Sequence, residues 1–143
     1  VAFHNLVKLS KYTFETFQLT CNLAVGVVAA DVGKAVSQDT SADNQVKLAG
    51  AGEAIVGSLY TVEPRVNEGT NIGTVEFKFA TKFTIKTGLT GNQVVARGSR
   101  ICGAGAGEIR ALDPAVTGDA ILIADGAPRV WAVIGTTAVC TNF

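Results

Sequence analysis

The chain is poor in the side chains that chemistry usually needs. It has one histidine, His4, and three scattered cysteines, Cys21, Cys102 and Cys140. A single imidazole near the start excludes a His-His metal pair, and any Ser-His-Asp or Cys-His site would have to be built on His4 alone. No C-x-x-C spacing occurs, and the cysteines sit beside Thr20, Ile101 and Val139 in strand-like runs. Buried free thiols are the expected state, against the rival of one disulfide using two of the three. Charge is scarce as well: charged residues make up 17% of the chain, and twelve of each sign cancel. Without net charge or a basic block, little draws the chain to phosphate backbones or anionic lipid, so neither nucleic acid nor membrane is an expected partner. No apolar run approaches the roughly eighteen residues of a membrane helix. His4, Asn5 and Lys8 interrupt Val1 to Leu9, where an export signal would be uniformly apolar. The expectation is no metal, no cofactor and no enzyme.

What is present is scaffold. Apolar residues make up 48% of the chain, and sixteen glycines with only three prolines divide it into short apolar runs. That is the pattern of many strands joined by tight turns. The clearest run is V-E-F-K-F-A-T-K-F-T-I-K-T from Val75 to Thr87, with Phe77, Phe79, Phe83 and Ile85 on one parity and Glu76, Lys78, Lys82 and Lys86 on the other. It predicts a strand with one buried face, roughly 40 Å long if unbroken, which must bend or serve two sheets. Further strands are expected at Tyr12 to Thr20, Lys34 to Gln38, Gln45 to Ala49, Ala54 to Val62, Gln93 to Arg97, Arg100 to Gly103, Glu108 to Leu112, Ala120 to Ala124 and Val130 to Val139. With the long one over Thr74 to Thr87, these runs make an all-β fold, a single-domain β-barrel or sandwich of short strands. The one segment with helical potential, Asn22 to Ala30, carries Gly26 and three valines, which disfavour a helix.

The first residues differ from the rest. Phe3, Leu6, Val7, Leu9, Tyr12, Phe14 and Phe17 concentrate aromatic and apolar side chains in a stretch without glycine. An extended N-terminal arm over residues 1–11, preceding a barrel domain over 12–143, would want a partner surface; the alternative is that it forms the domain's first strands. Phe3, His4, Leu6, Leu9, Tyr12, Phe14 and Phe17 are therefore the candidate interface residues. A weak internal repeat is also visible. Gly33-Lys34-Ala35-Val36, Gln45-Val46-Lys47 and Gly52-Glu53-Ala54-Ile55 recur about 65 residues later as Gly98-Ser99-Arg100-Ile101, Glu108-Ile109-Arg110 and Gly118-Asp119-Ala120-Ile121. Two similar hairpin units in one barrel would produce it, as would chance in a glycine- and alanine-rich chain.

Other motifs resolve to ordinary structure. Gly103-Ala104-Gly105-Ala106-Gly107 looks like a phosphate loop, but Glu108-Ile109-Arg110 starts a strand where a helix or Gly-Lys-Ser/Thr would be needed, so a hairpin turn is expected. The same holds for Gly50-Ala51-Gly52-Glu53. Asp39 and Asp43, with Asn44 and Gln45, lack calcium-loop spacing and read as a solvated polar turn. Lys78, Lys82 and Lys86 lack interleaved aromatics and read as an exposed face. Trp131 reads as core or subunit contact rather than a sugar platform. A carboxylate pair such as Glu53 and Glu108 would be the slender basis for a hydrolase.

In order along the chain stand a strand ending at Leu19, Gly33-Lys34-Ala35-Val36 and Ile55-Val56-Gly57-Ser58-Leu59. The long strand Gly73 to Gly88, Gly98-Ser99-Arg100-Ile101, Gly107-Glu108-Ile109 and Val133-Ile134-Gly135 follow. This succession of turn glycines and valine-rich strands, from about Tyr12 to Val139, resembles the small β-barrel head decoration or capsid cement proteins of tailed bacteriophages. Val1 to Lys11 extends beyond that family's usual short start. The resemblance implies a structural virion protein, commonly a homotrimer. It would bind major capsid protein on the capsid exterior after assembly in the host cytoplasm, bridge neighbouring subunits and stiffen the shell. The alternative is a receptor- or glycan-binding β module on a virion or cell surface.

Overall fold

Alternation along the long strand organises the molecule. The structure, a computed structural model, describes residues 17–65, 69 and 71–142. They form strands β1 (Phe17–Leu23), β2 (Ala35–Gln38), β3 (Gln45–Leu48), β4 (Gly57–Glu63), β5 (Ile72–Thr84), β6 (Ile101–Gly105), β7 (Glu108–Ala111), β8 (Arg129–Ile134) and β9 (Thr137–Asn142), with one helix, α1 (Thr117–Ala124). The fold is all-β, as the composition and patterning require. On β5 the odd positions Gly73, Val75, Phe79 and Phe83 are buried, while Lys78 and Lys82 are exposed. The strand does serve two sheets: its first half pairs with β1 and β4, and Phe79 to Thr84 pair with β9.

The first half of β5 closes a barrel in the order β1-β3-β2-β4-β5, with β5 returning to β1. The ring is completed by a short parallel contact, Asn22 with Gln45 and Leu23 with Val46. A second ring uses the other half of β5. It runs through β9 and β8, crosses to the β6–β7 hairpin at an antiparallel bridge between Arg100 and Arg129, and returns by a parallel bridge between Ile85 and Ile109.

The two rings are one unit used twice, which the pairing registers show residue by residue. Thr20–Thr74, Cys21–Gly73 and Asn22–Ile72 in the first correspond to Lys82–Val139, Phe83–Ala138 and Thr84–Thr137 in the second. The parallel closure follows directly after each set, at Leu23–Val46 and Ile85–Ile109. In the first ring the Gly33 amide donates to the Leu59 carbonyl (2.7 Å) and the Leu59 amide to Lys34 (3.0 Å); in the second Gly98 donates to Val130 (2.8 Å) and Val130 to Ser99 (2.9 Å). A β-bulge follows in both, at Tyr60 in β4 and at Trp131 in β8. Each ring also contains a 3-10 turn, at Ala29–Asp31 and Gly91–Gln93. The repeat visible at three places in the sequence thus extends through the described fold.

Each barrel has an apolar core. Cys21, Leu23, Val27, Val36, Val46, Leu59 and Val75 form the first core. The second is larger and built around Phe79 and Phe83, edge to face at 5.3 Å, with Val95, Ile101, Ile109, Val130, Ala138 and Cys140. Ala35, Ala49 and Ile55 from the first repeat also pack into it, so the barrels share apolar surface. Backbone hydrogen bonds join them too: Gly52 donates to Gly103 (2.9 Å), Gly103 to Glu53 (2.9 Å) and Gly107 to Ala49 (3.1 Å). Gly103 is required at this seam, because a Cβ there would collide with the Gly50 carbonyl oxygen and stand 2.8 Å from the Ala49 Cβ.

Several expectations are corrected. Ala120 to Ala124 is not a strand but the body of α1, whose first turn holds Asp119 where a carboxylate complements the helix dipole. Gln93 to Arg97 is the end of a 3-10 turn and a loop that buries Val95. Val130 to Val139 is a hairpin, split into β8 and β9 by Gly135 at φ 61°. Gly103 to Gly107 does make the β6–β7 hairpin. Gly50 to Glu53 is a tight turn but not a hairpin: β3 pairs with β1 and β2, and the chain passes across β2 to reach β4. The segment from Asn22 to Ala30 is no α-helix, as Gly26 and its valines lead one to expect; it holds the end of β1 and the start of a 3-10 turn.

Candidate interaction surface

Of the candidate interface residues, Phe17 alone belongs to the described residues; Phe3, His4, Leu6, Leu9, Tyr12 and Phe14 lie outside them. Phe17 begins β1 beside a bulge and is half-exposed, its ring 6.1 Å from that of Phe77. Leu19 is also half-exposed although it shares the parity of buried Cys21 and Leu23. The reason is that β1 meets β3 only at Asn22 and Leu23, so the first barrel is open at the Leu19 end. A cavity of about 260 Å³ results, lined by apolar Leu19, Cys21, Val46, Val56 and Phe77 together with polar Thr20, Gln38, Asn44 and Gln45. In the second barrel Phe79, two residues before Thr81 as Phe17 is two before Leu19, is fully buried against Phe83.

Half-exposed apolar side chains also mark the bulges, Tyr60 on β4 and Trp131 on β8, followed on β8 by Val133 and Ile134. Trp131 therefore is not core. Its indole Nε1 donates to Thr141 Oγ1 at 2.6 Å, which fixes the ring while leaving it 54% exposed. Sequence reasoning missed Tyr60 and Leu19 as surface groups, since an alternating strand pattern assigns both to ordinary strand faces.

Charged residues that the sequence singled out mostly serve the scaffold. Glu53 accepts from Lys47 Nζ (2.7 Å) and from the Gly50 amide (2.8 Å), and Asp119 accepts from Arg110 Nη1 (2.8 Å) and Nη2 (3.1 Å) and from the Asp113 amide (2.8 Å). These pairs occupy matching positions in the two repeats. The Arg110 hydrogen bonds outweigh burial and hold the Asp119 carboxyl below its ordinary value. Asp39 is engaged in a polar turn, accepting from the Ser41 hydroxyl and amide and from Gln45 Nε2; the Ser41 hydroxyl leads in drawing its carboxyl down to about 2. Lys86 leaves the lysine row to donate to the Ala104 carbonyl at 3.1 Å. Cys21, Cys102 and Cys140 are free and buried, and burial pushes the Cys102 thiol up to about 11 and the Cys140 thiol up to about 12. Among the described residues no three His, Cys, Asp or Glu side chains group as metal ligands, and no helix is long and apolar enough to cross a membrane. Comparison of the chain with protein-family models, curated proteins and solved structures returned no match.

Proposed function

We propose that this chain is a capsid decoration protein, a homotrimer that binds the outside of an assembled phage head and bridges major capsid subunits. The observation that carries the reading is the tandem barrel itself. Two copies of one strand unit share β5 and a backbone seam, while Phe17, Leu19, Tyr60, Trp131, Val133 and Ile134 remain half-exposed outside the two cores. Such a body suits binding by shape and apolar contact. Symmetric copies on a repeating shell gain avidity even when each contact is weak. The arm over 1–11 supplies further contact with capsid or a neighbouring protomer. Light scattering of the purified protein, followed by mixing with emptied heads of the encoding phage and pelleting, tests the reading. A trimer that sediments with heads is expected; a monomer left in the supernatant overturns it. The second reading, a glycan-binding module, draws on the half-exposed Trp131 beside Arg129, and a glycan array separates the two.

A further inference from the structure

Arg100 and Arg129 face each other across the bridge that closes the second barrel. Like charges directly opposite on neighbouring strands repel, so this pairing costs stability unless something compensates it. The same place in the first barrel shows that the fold does not demand it: Ala35 and Ser58 stand there, both buried and neutral. Arg100 Nη1 donates to the Ala127 carbonyl at 2.6 Å, whereas Arg129 is exposed and has no ion pair among the described residues. Both arginines line an open cavity of about 330 Å³ with Gly126, Ala127, Trp131, Thr141 and Asn142, and among the described residues no carboxylate lines it. The indole is already oriented by Thr141, so its exposed face is a fixed apolar platform next to two cations.

The geometry points to a binding site for a carboxylate carried beside an aromatic or aliphatic side chain, that is, an acidic-apolar segment of a partner protein. The carboxylate bridges Arg100 and Arg129 and relieves their repulsion, while the neighbouring side chain lies on Trp131. A sugar acid fits less well. Thr141 Oγ1 already accepts from Trp131, and Asn142 Nδ2 donates to the Phe77 carbonyl at 3.2 Å, leaving few directional groups for ring hydroxyls. A nucleic-acid strand fits less well again, because the chain is electrically neutral and offers no extended basic track. The inference rests on the decoration reading only for who the partner is.

Trp131 is the only tryptophan, so its fluorescence reports on this cavity in the intact protein. Titration with acetyl-Phe-Glu-Phe-amide is expected to give a saturable change that acetyl-Phe-Gln-Phe-amide does not. Arg129→Gln, at an exposed position, is expected to weaken it about tenfold with an unchanged far-UV spectrum. Lys78→Gln, on the exposed face of β5, leaves it unaltered. Equal responses to the two peptides, an undiminished response in Arg129→Gln, or an equal response to N-acetylneuraminic acid or inorganic phosphate would overturn the site. Retention on phage heads is scored separately. A peptide response without head binding upholds the site and removes the decoration reading; head binding without a peptide response does the reverse.

Discussion

Removing the carboxylate of Asp119 separates the two ion pairs that the repeat places at matching positions. Asp119 and Arg110 have side chains only 6% and 14% exposed, and the carboxylate satisfies both guanidinium nitrogens and the Asp113 amide. Asp119→Ala leaves a largely buried guanidinium without its counter-charge, a loss of about 3–5 kcal/mol. Glu53 and Lys47 are 35% and 40% exposed, so that ion pair is screened by solvent. Glu53→Ala then loses mainly the bond to the Gly50 amide, about 1–2 kcal/mol in all. At about 3 °C per kcal/mol for a domain of this size, the expected falls in Tm are about 9–15 °C and about 3–6 °C. Urea unfolding followed by circular dichroism gives the same comparison at fixed temperature. The pair Arg110→Met with Asp119→Leu, which removes both charges at once, is expected to recover most of the loss. Because the folded Asp119 carboxyl sits below its unfolded value near 3.9, its contribution is complete above that pH and lost as pH falls through the folded value. The gap between native and Asp119→Ala protein therefore stays constant from pH 5 to 8 and narrows in acid. Equal costs for the two single variants, or under about 1 kcal/mol for Asp119→Ala, would refute the reasoning.

Other consequences follow from the seam, the cores and the arm. Gly103→Ala drives a Cβ into backbone on the facing turn and should cost about 1–3 kcal/mol, whereas Gly118→Ala in α1 meets nothing within 4 Å and should gain a few tenths up to about 1 kcal/mol; matched urea midpoints would contradict the seam. Cys102 and Cys140, buried with thiols raised to about 11 and about 12, should react with a disulfide reagent at pH 8 no faster than the protein unfolds; prompt labelling of native protein would contradict their burial. Deletion of Val1 to Lys11 should leave the far-UV spectrum unchanged and weaken retention on heads; a truncated chain retained as well as the intact one would remove the arm from the interface.

The sequence was most readable where one periodicity ran long enough to exclude others. β5 showed its inward parity and its double duty in advance, since thirteen residues exceed what one small sheet uses. Short apolar runs were ambiguous by nature: Ala-Ile-Leu-Ile-Ala reads equally as a strand or a helix turn, and in the fold it is α1, tied at Asp119 to Arg110. The duplication was legible at three short segments that include Gly33, Lys47 and Gly52-Glu53 and their counterparts Gly98, Arg110 and Gly118-Asp119; that the charges pair within each unit appears only in the structure. Elsewhere it is carried by register. Backbone pairing tolerates Gly73 where the second unit has Ala138, and Leu59 where it has Val130. The Arg100–Arg129 cavity was invisible because its two cations are far apart in the chain and meet only where the second ring closes.

Counting the copies retained per head tests the central claim most directly. Emptied heads are saturated with the protein, pelleted, and the ratio of this chain to major capsid protein is measured. Binding that saturates at one fixed ratio, with whole trimers at subunit junctions, is the expected result. No retention, or uptake that rises with concentration without saturating, would contradict it.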